Sequence, residues 1–417
     1  FKMRLVSIED QQVNLFTKVN KIPLGMNSYK GMNKDKIICM PYEKYSGAWG
    51  LIAKSGAGKT VLLKRIYSYV LGFYQKKYRK PRPAVIFDMQ SEDHQLSRFP
   101  NTAPEHLFYD QGEKPFGFDN LVCYAPEFIL EESHPHDRPF GFSVDNFTTR
   151  DFATIGMGVG ASKFLSFLIK SNPECAEDLD KLFKALNDLP TNLTEFKRLP
   201  ADYMFKLDNF VNYSSKLSLT NNFAMAYEDN AFCDTRNKHH RRNFIPELQK
   251  GKIVVINFHQ EDKYYPLYAG KIMRDIYLKR RDSARKNDFS FAPPVIIIEE
   301  ADLLAPNNTD DSFSSIYWLK QILKRGRKYS FFSILATQEA SSLNEDIRNN
   351  TRQWVIGSLN EIDISFFQKI LTPHNLNVVL NLDKSKHEFV IVYEDGTFDS
   401  FYAWDSPVQI NRENSMV

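Results

Sequence analysis

Ala53-Lys54-Ser55-Gly56-Ala57-Gly58-Lys59-Thr60 is the stretch on which the fold turns. It follows a short apolar run, Trp49 to Ala53, and precedes a helical pattern from Thr60 to Phe73 with Leu63, Ile66, Tyr67 and Val70 on one face. The order is strand, glycine-rich turn, helix. Successive backbone N–H groups in such a turn, together with the helix N-terminus behind them, point at a common centre and stabilise clustered negative charge. The eight residues match the Walker A pattern except at the first glycine, where Ala53 stands. The reading is a phosphate cradle made by Ser55, Gly56, Ala57, Gly58, Lys59 and Thr60. Lys59 would meet the β- and γ-phosphates of ATP, and the Thr60 hydroxyl would sit on Mg²⁺, which prefers oxygen ligands.

A cradle alone binds; hydrolysis needs acids. Val295-Ile296-Ile297-Ile298 followed by Glu299 and Glu300 is an apolar strand that releases two carboxylates together, the layout of a Walker B motif. Glu299 is the candidate metal residue, acting through water, and Glu300 the candidate general base for the attacking water. Walker B strands usually carry Asp first, so the longer Glu299 is a departure. The bland alternative is a strand that ends in solvated acids, and the preceding cradle argues against it.

Around these motifs the chain alternates strand and helix patterns. Expected elements are strands at Lys36 to Met40, Ala84 to Phe87 ending at Asp88, Lys252 to Phe258, Phe331 to Ala336 and Gln353 to Gly357. Expected helices run from Leu267 to about Lys286, Phe313 to Lys328, and near Asp363 to Leu371. A closing hairpin, Glu388 to Tyr393 and Thr397 to Ala403, turns at Glu394-Asp395-Gly396. Such alternation implies an α/β fold with a mostly parallel sheet, and ligands at the carboxyl ends of its strands. The expected division is a β lead-in at 1–48, the first part of the core at 49–125, a helical insertion at 126–250, and the second part of the core at 251–417.

Composition sets looser bounds. With 417 residues, 42% hydrophobic and 25% charged, the chain can bury a large core. A net charge of +3 says nothing for or against nucleic acid, so any such grip must come from local patches. Three basic stretches qualify: Lys271, Arg274, Arg280, Arg281, Arg285 and Lys286 on one helix; Lys238 to Arg242; and Lys76 to Arg82. Four dispersed cysteines suggest neither zinc nor disulfides, and no apolar run could span a bilayer. A reducing, cytoplasmic setting is the expectation.

Lys324-Arg325-Gly326-Arg327-Lys328-Tyr329, then Ser333-Ile334-Leu335-Ala336-Thr337-Gln338, closely resembles a stretch of the HerA/FtsK superfamily of P-loop ATPases. There a basic helix end leads into a strand that finishes in Thr-Gln. Phe87-Asp88-Met89-Gln90-Ser91-Glu92 is a weaker echo of the family's second strand. The similarity spans roughly 20–125 and 250–407. It implies a RecA-like core, Gln338 as sensor of the γ-phosphate or its attacking water, and Arg325 or Arg327 as a finger reaching the neighbouring subunit's nucleotide. It further implies a homo-oligomeric ring, a hexamer, that translocates double-stranded DNA, with a nuclease or a viral or secretion portal as possible partner. The β-barrel that typical HerA proteins carry at the N-terminus is expected to be missing or reduced. An assembly ATPase indifferent to DNA is the alternative. A small-molecule kinase is disfavoured, because the insertion is long and acidic around Glu174 to Asp180 where a kinase lid would be compact and arginine-rich.

Overall fold

The computed structural model describes residues 21–28, 37–41, 47–78, 81–89, 94–102, 115–129, 137–171, 174–187, 213–258, 263–288, 290–307, 313–351 and 353–409. Residues 1–20 of the expected β lead-in lie outside them. Among the described residues, twelve strands form one sheet: β1 Lys21–Asn27, β2 Ile37–Pro41, β3 Ala48–Ile52, β4 Ala84–Asp88, β5 Leu121–Pro126, β6 Arg138–Phe140, β7 Ile253–Asn257, β8 Val295–Ile298, β9 Phe332–Thr337, β10 Gln353–Ile356, β11 Glu388–Val392 and β12 Phe398–Ala403. Their order is β2-β1-β12-β11-β10-β3-β9-β8-β4-β7-β5-β6.

From β10 to β6 every pairing is parallel, and from β2 to β11 every pairing is antiparallel, as is the join of β11 to β10. The parallel strands β3, β4, β5, β7, β8, β9 and β10 are buried at every position, which explains their unbroken apolar runs. Side-chain alternation divides each strand between two cores. Val85, Phe87, Val254, Ile256, Ile296 and Ile298 face one; Ala84, Ile86, Ile253, Val255, Val295 and Ile297 face the other. The first core is roofed by the helices Tyr265–Arg285 and Ser314–Tyr329, the second by the helix Lys59–Tyr78.

Parallel pairing brings the carboxyl ends of β3, β9, β8 and β4 side by side. The glycine-rich turn leaves β3, Gln338 follows β9, and Glu299 and Glu300 follow β8. Strand β9 therefore lies between the cradle and the acid pair. The core alternation follows the expectation, although β1 and β5 were not expected, and three further readings are corrected. The stretch 126–250 is not wholly helical: Arg138–Phe140 extends the sheet as β6. The helix Pro373–Leu380, capped by Thr372, was not expected.

The third correction concerns the basic stripe on the helix Tyr265–Arg285. Lys271, Arg274 and Arg280 are buried. Arg274 Nη1 is paired with the fully buried Asp151, whose carboxylate also accepts from Ser314 Oγ, from Thr148 N at 2.6 Å and from Thr148 Oγ1 at 2.7 Å. Arg280 donates to the carbonyls of Tyr329 and Phe291 at 2.8 and 3.0 Å, and Lys271 is paired with Asp275. Arg82 is also buried and donates to the Pro293 carbonyl at 3.0 Å. These cations satisfy internal acceptors, as buried charge requires, and only Arg281, Arg285 and Lys286 of that stripe meet solvent.

Candidate nucleotide site

The turn after β3 is held by Lys54 N donating to Ser358 O at 3.1 Å and Ala57 N to Lys54 O at 3.2 Å. Gly56 and Gly58 take φ of +74° and +86°, the left-handed region that a side chain resists. A Cβ on Gly58 would lie 2.6 Å from His387 Nδ1, so that glycine is required twice over. The helix begins at Lys59, directly after the glycine-rich turn. Ser55 and Gly56 are exposed there, while Lys59 is buried.

Across the gap stand the two acids. Lys59 Nζ forms an ion pair with Glu300 Oε1, and Gln338 Nε2 donates to the same oxygen at 3.1 Å. Glu300 has φ 47° and ψ 60°, left-handed for a residue with a side chain. Such a conformation costs on the order of 1–3 kcal/mol and persists only where its surroundings enforce it. It turns the chain from β8 into the short helix Ala301–Leu304 and leaves the Glu300 carboxylate facing Lys59.

Glu299 is fully buried. Its Oε1 accepts from Thr60 Oγ1 at 3.4 Å, and its Oε2 lies 2.7 Å from His94 Nε2. His94 Nδ1 is in turn 3.2 Å from the Tyr67 hydroxyl, which is 2.6 Å from Ser97 Oγ. Asp88, at the end of β4, offers a carboxylate oxygen to the same buried cluster as His94 and Glu299, the three ligand atoms lying within 4.8 Å of one another. Burial pushes the Glu299 carboxyl up to about 7, against the opposing pull of Lys59 and Lys64 and with some help from Glu300. Burial also raises Asp302, which accepts from Thr337 Oγ1 at 2.7 Å.

The structure thus brings Lys59, Thr60, Glu299, Glu300 and Gln338 into one cluster. Arg325 is exposed and apart from it, donating to the Tyr277 hydroxyl at 3.2 Å. The Arg327 side chain and residues Gln90, Ser91 and Glu92 lie outside the described residues. Three residues escaped the sequence reading, His94 and Ser97 behind Glu299 and His387 against Gly58, and Tyr67, read there only as part of a helix's apolar face, bonds to the first two. The chemistry of the cluster suits a magnesium nucleotide. Thr60 Oγ1 and Glu299 Oε1 supply hard oxygen donors beside an amide cradle with a lysine at its mouth.

No protein-family model matches the chain, and no curated protein matches it. Solved structures do. The plasmid coupling protein TrwB in complex with the non-hydrolysable ATP analogue ADPNP is 11% identical over 96% of this chain and 94% of that one, with a TM-score of 0.57. TrwB in complex with ADP and Mg²⁺ is 12% identical over 94% and 97%, with a TM-score of 0.56. VirB4 of Thermoanaerobacter pseudethanolicus is 14% identical over 95% and 98%, with a TM-score of 0.52. At such identities the likeness is one of architecture, and it spans nearly the whole of each chain: this protein has a RecA-like α/β P-loop fold.

Proposed function

We propose that this chain hydrolyses ATP and uses the energy to drive double-stranded DNA through a homo-oligomeric ring, a hexamer. The observation that carries the reading is the convergence of Lys59 and Gln338 on one oxygen of Glu300, beside a second acid that faces Thr60. Cation, polar sensor, base and metal carboxylate are the parts that phosphoryl transfer to water needs.

Lys59 neutralises Glu300. Arriving phosphates compete for the Lys59 ammonium, and its withdrawal frees Glu300 Oε1 to take a proton from water. Gln338, bonded to that same oxygen, orients the water. Thr60 and Glu299 would hold Mg²⁺, which would supply positive charge beside the phosphates. Arg325 and Arg327, near the end of the helix Ser314–Tyr329, are proposed to act on the neighbouring subunit's nucleotide. The exposure of Arg325 supports this, because a finger acting in trans must leave its own fold.

The DNA reading draws on the two resembling stretches and on the fold shared with a plasmid coupling protein. Backbone contacts by surface cations need no overall basic charge. The segment 126–250 is proposed as an insertion in a core made by 49–125 and 251–417, anchored through Asp151. Among the described residues no helix is long and apolar enough to cross a membrane, and Cys123, Cys175 and Cys233 are buried thiols. A reducing cytoplasm is the proposed setting, with a nuclease or a portal as partner.

The test measures ATP hydrolysis with and without long double-stranded DNA while sizing the protein by mass photometry with an ATP analogue. Stimulation in a particle of six subunits is expected. A ring indifferent to DNA would favour an assembly ATPase, and an indifferent monomer would remove the translocase reading altogether.

A further inference from the structure

The two oxygens of Glu299 have separate partners. Oε1 faces the Thr60 hydroxyl at 3.4 Å, on the side where a nucleotide's metal would sit. Oε2 is met at 2.7 Å by His94 Nε2, from the turn His94–Arg98. Both side chains are completely buried, so solvent cannot stand in for either contact. Behind His94 the contacts continue through Nδ1 to the Tyr67 hydroxyl at 3.2 Å and on to Ser97 Oγ at 2.6 Å. Tyr67 belongs to the helix that begins at Lys59, so this relay links the phosphate-binding helix to the acid of β8.

Donor bookkeeping assigns the imidazole. While Glu299 is ionised its oxygens only accept, so Nε2 then carries the proton. In a neutral ring Nδ1 then accepts from Tyr67, whose oxygen accepts from Ser97. Every group in the chain has a consistent role, and the ring's rotation is fixed at both nitrogens. Fixing matters here because Glu has one more rotatable bond than the Asp usually found at this position, and an untethered Glu299 could turn Oε1 away from Thr60.

We propose that His94 is a positioning residue: by holding Oε2 of Glu299 it aims Oε1 at the metal beside Thr60, and it thereby sets the affinity of the site for the nucleotide's divalent cation. The inference rests on the magnesium–nucleotide reading of the site. Outer partners of metal-binding carboxylates typically change metal affinity by about 10–100-fold when removed.

The test uses the full chain with ADP, and Mn²⁺ as a paramagnetic stand-in for Mg²⁺, counting free Mn²⁺ by electron paramagnetic resonance. His94→Phe keeps the ring's bulk but cannot donate, and is expected to raise the half-saturating Mn²⁺ about 10–100-fold. ADP binding without metal should be unchanged. His94→Gln offers an amide N–H where Nε2 stood, and should recover most of the affinity. Glu299→Gln should weaken Mn²⁺ as His94→Phe does, with no further loss in the double variant. Wild-type Mn²⁺ affinity in His94→Phe alongside weakening in Glu299→Gln would overturn the proposal and leave the nucleotide site standing. Nitrogen hyperfine coupling to bound Mn²⁺ in the wild type would overturn it differently, by making His94 a direct ligand. Failure of the wild type to bind ADP at all would remove the underlying reading, a result separate from either of these.

Discussion

Lys59 Nζ and Glu300 Oε1 form a buried ion pair between the first turn of the helix after β3 and the N-cap of the short helix that follows β8. The pair closes the site on itself, and each partner's removal should have a different effect. Glu300→Gln leaves an amide near Lys59 and keeps the cradle. It should bind ATP at least as tightly as wild type while turnover falls by about 10²–10⁴-fold, the usual worth of a positioned base. Lys59→Ala should lose binding itself. Equilibrium binding of a fluorescent ATP analogue, read beside phosphate release, separates the two, and wild-type turnover in Glu300→Gln would dismiss Glu300 as the base.

Gly58 offers a backbone test of the same site. Gly58→Ala demands a left-handed alanine and drives its methyl into His387 Nδ1. Distortion of the turn should weaken nucleotide binding by well over tenfold. Gly56→Ala, whose Cβ would meet nothing closer than Lys384 Cε at 3.6 Å, bears only the conformational cost of about 1 kcal/mol. Equal losses in the two variants would show that contact with His387 is irrelevant.

For a finger in trans the decisive experiment is mixing. Arg325→Ala or Arg327→Ala subunits added to wild type should depress activity more steeply than their share of the mixture, because each defective subunit silences a neighbour. A straight line through the titration would exclude action between subunits.

Asp151 gathers four donors at a point where the segment 126–250 meets the core helices Tyr265–Arg285 and Ser314–Tyr329. Asp151→Ala strands the buried Arg274 and should cost about 3–5 kcal/mol in chemical denaturation. Replacing exposed Asp282 in the same way should cost less than about 1 kcal/mol.

Burial pushes the thiols of Cys123 and Cys233 up to about 12. At pH 8 almost none of either is thiolate, so both should resist alkylation until the chain unfolds, whereas half-buried Cys39 reacts first. The sign of the linkage follows. A raised pKa means the folded state keeps protons that the unfolded state releases, so this contribution is intact below about pH 9 and is lost as pH climbs toward 12. Peptide mapping after native labelling at pH 8, and denaturation at pH 8 and 10.5, check both halves.

What could be read in advance was local. The glycine-rich turn, the apolar run into Glu299 and Glu300, and the Thr-Gln end of β9 are each contiguous in sequence, and parallel pairing forces their carboxyl ends together. His94 was invisible because its partner lies 205 residues away, and an isolated histidine in a turn forms no pattern. The stripe of Lys271, Arg274 and Arg280 misled because each cation has an acceptor outside the helix: the Arg242 carbonyl for Lys271, Asp151 for Arg274, and the Tyr329 and Phe291 carbonyls for Arg280. Thr372-Pro373 did carry a helix-start signal, a capping threonine before proline at the first turn, but eight residues are too few for a clear period. β6 spans three residues, one of them Pro139, and only its pairing with β5 marks it as a strand.

The sheet's antiparallel edge joins β1 to β12, strands separated by nearly the whole described chain. As the polypeptide leaves the ribosome, β1 and β2 emerge long before the strand on which they dock, so that edge can close only when synthesis has passed Ala403. Until then the apolar residues Ile22, Leu24, Ile38 and Met40, fully sheltered in the finished fold, have no surface of their own to cover them. Such distant pairing is slow to form, and it leaves the newborn chain exposing apolar surface that the mature one covers.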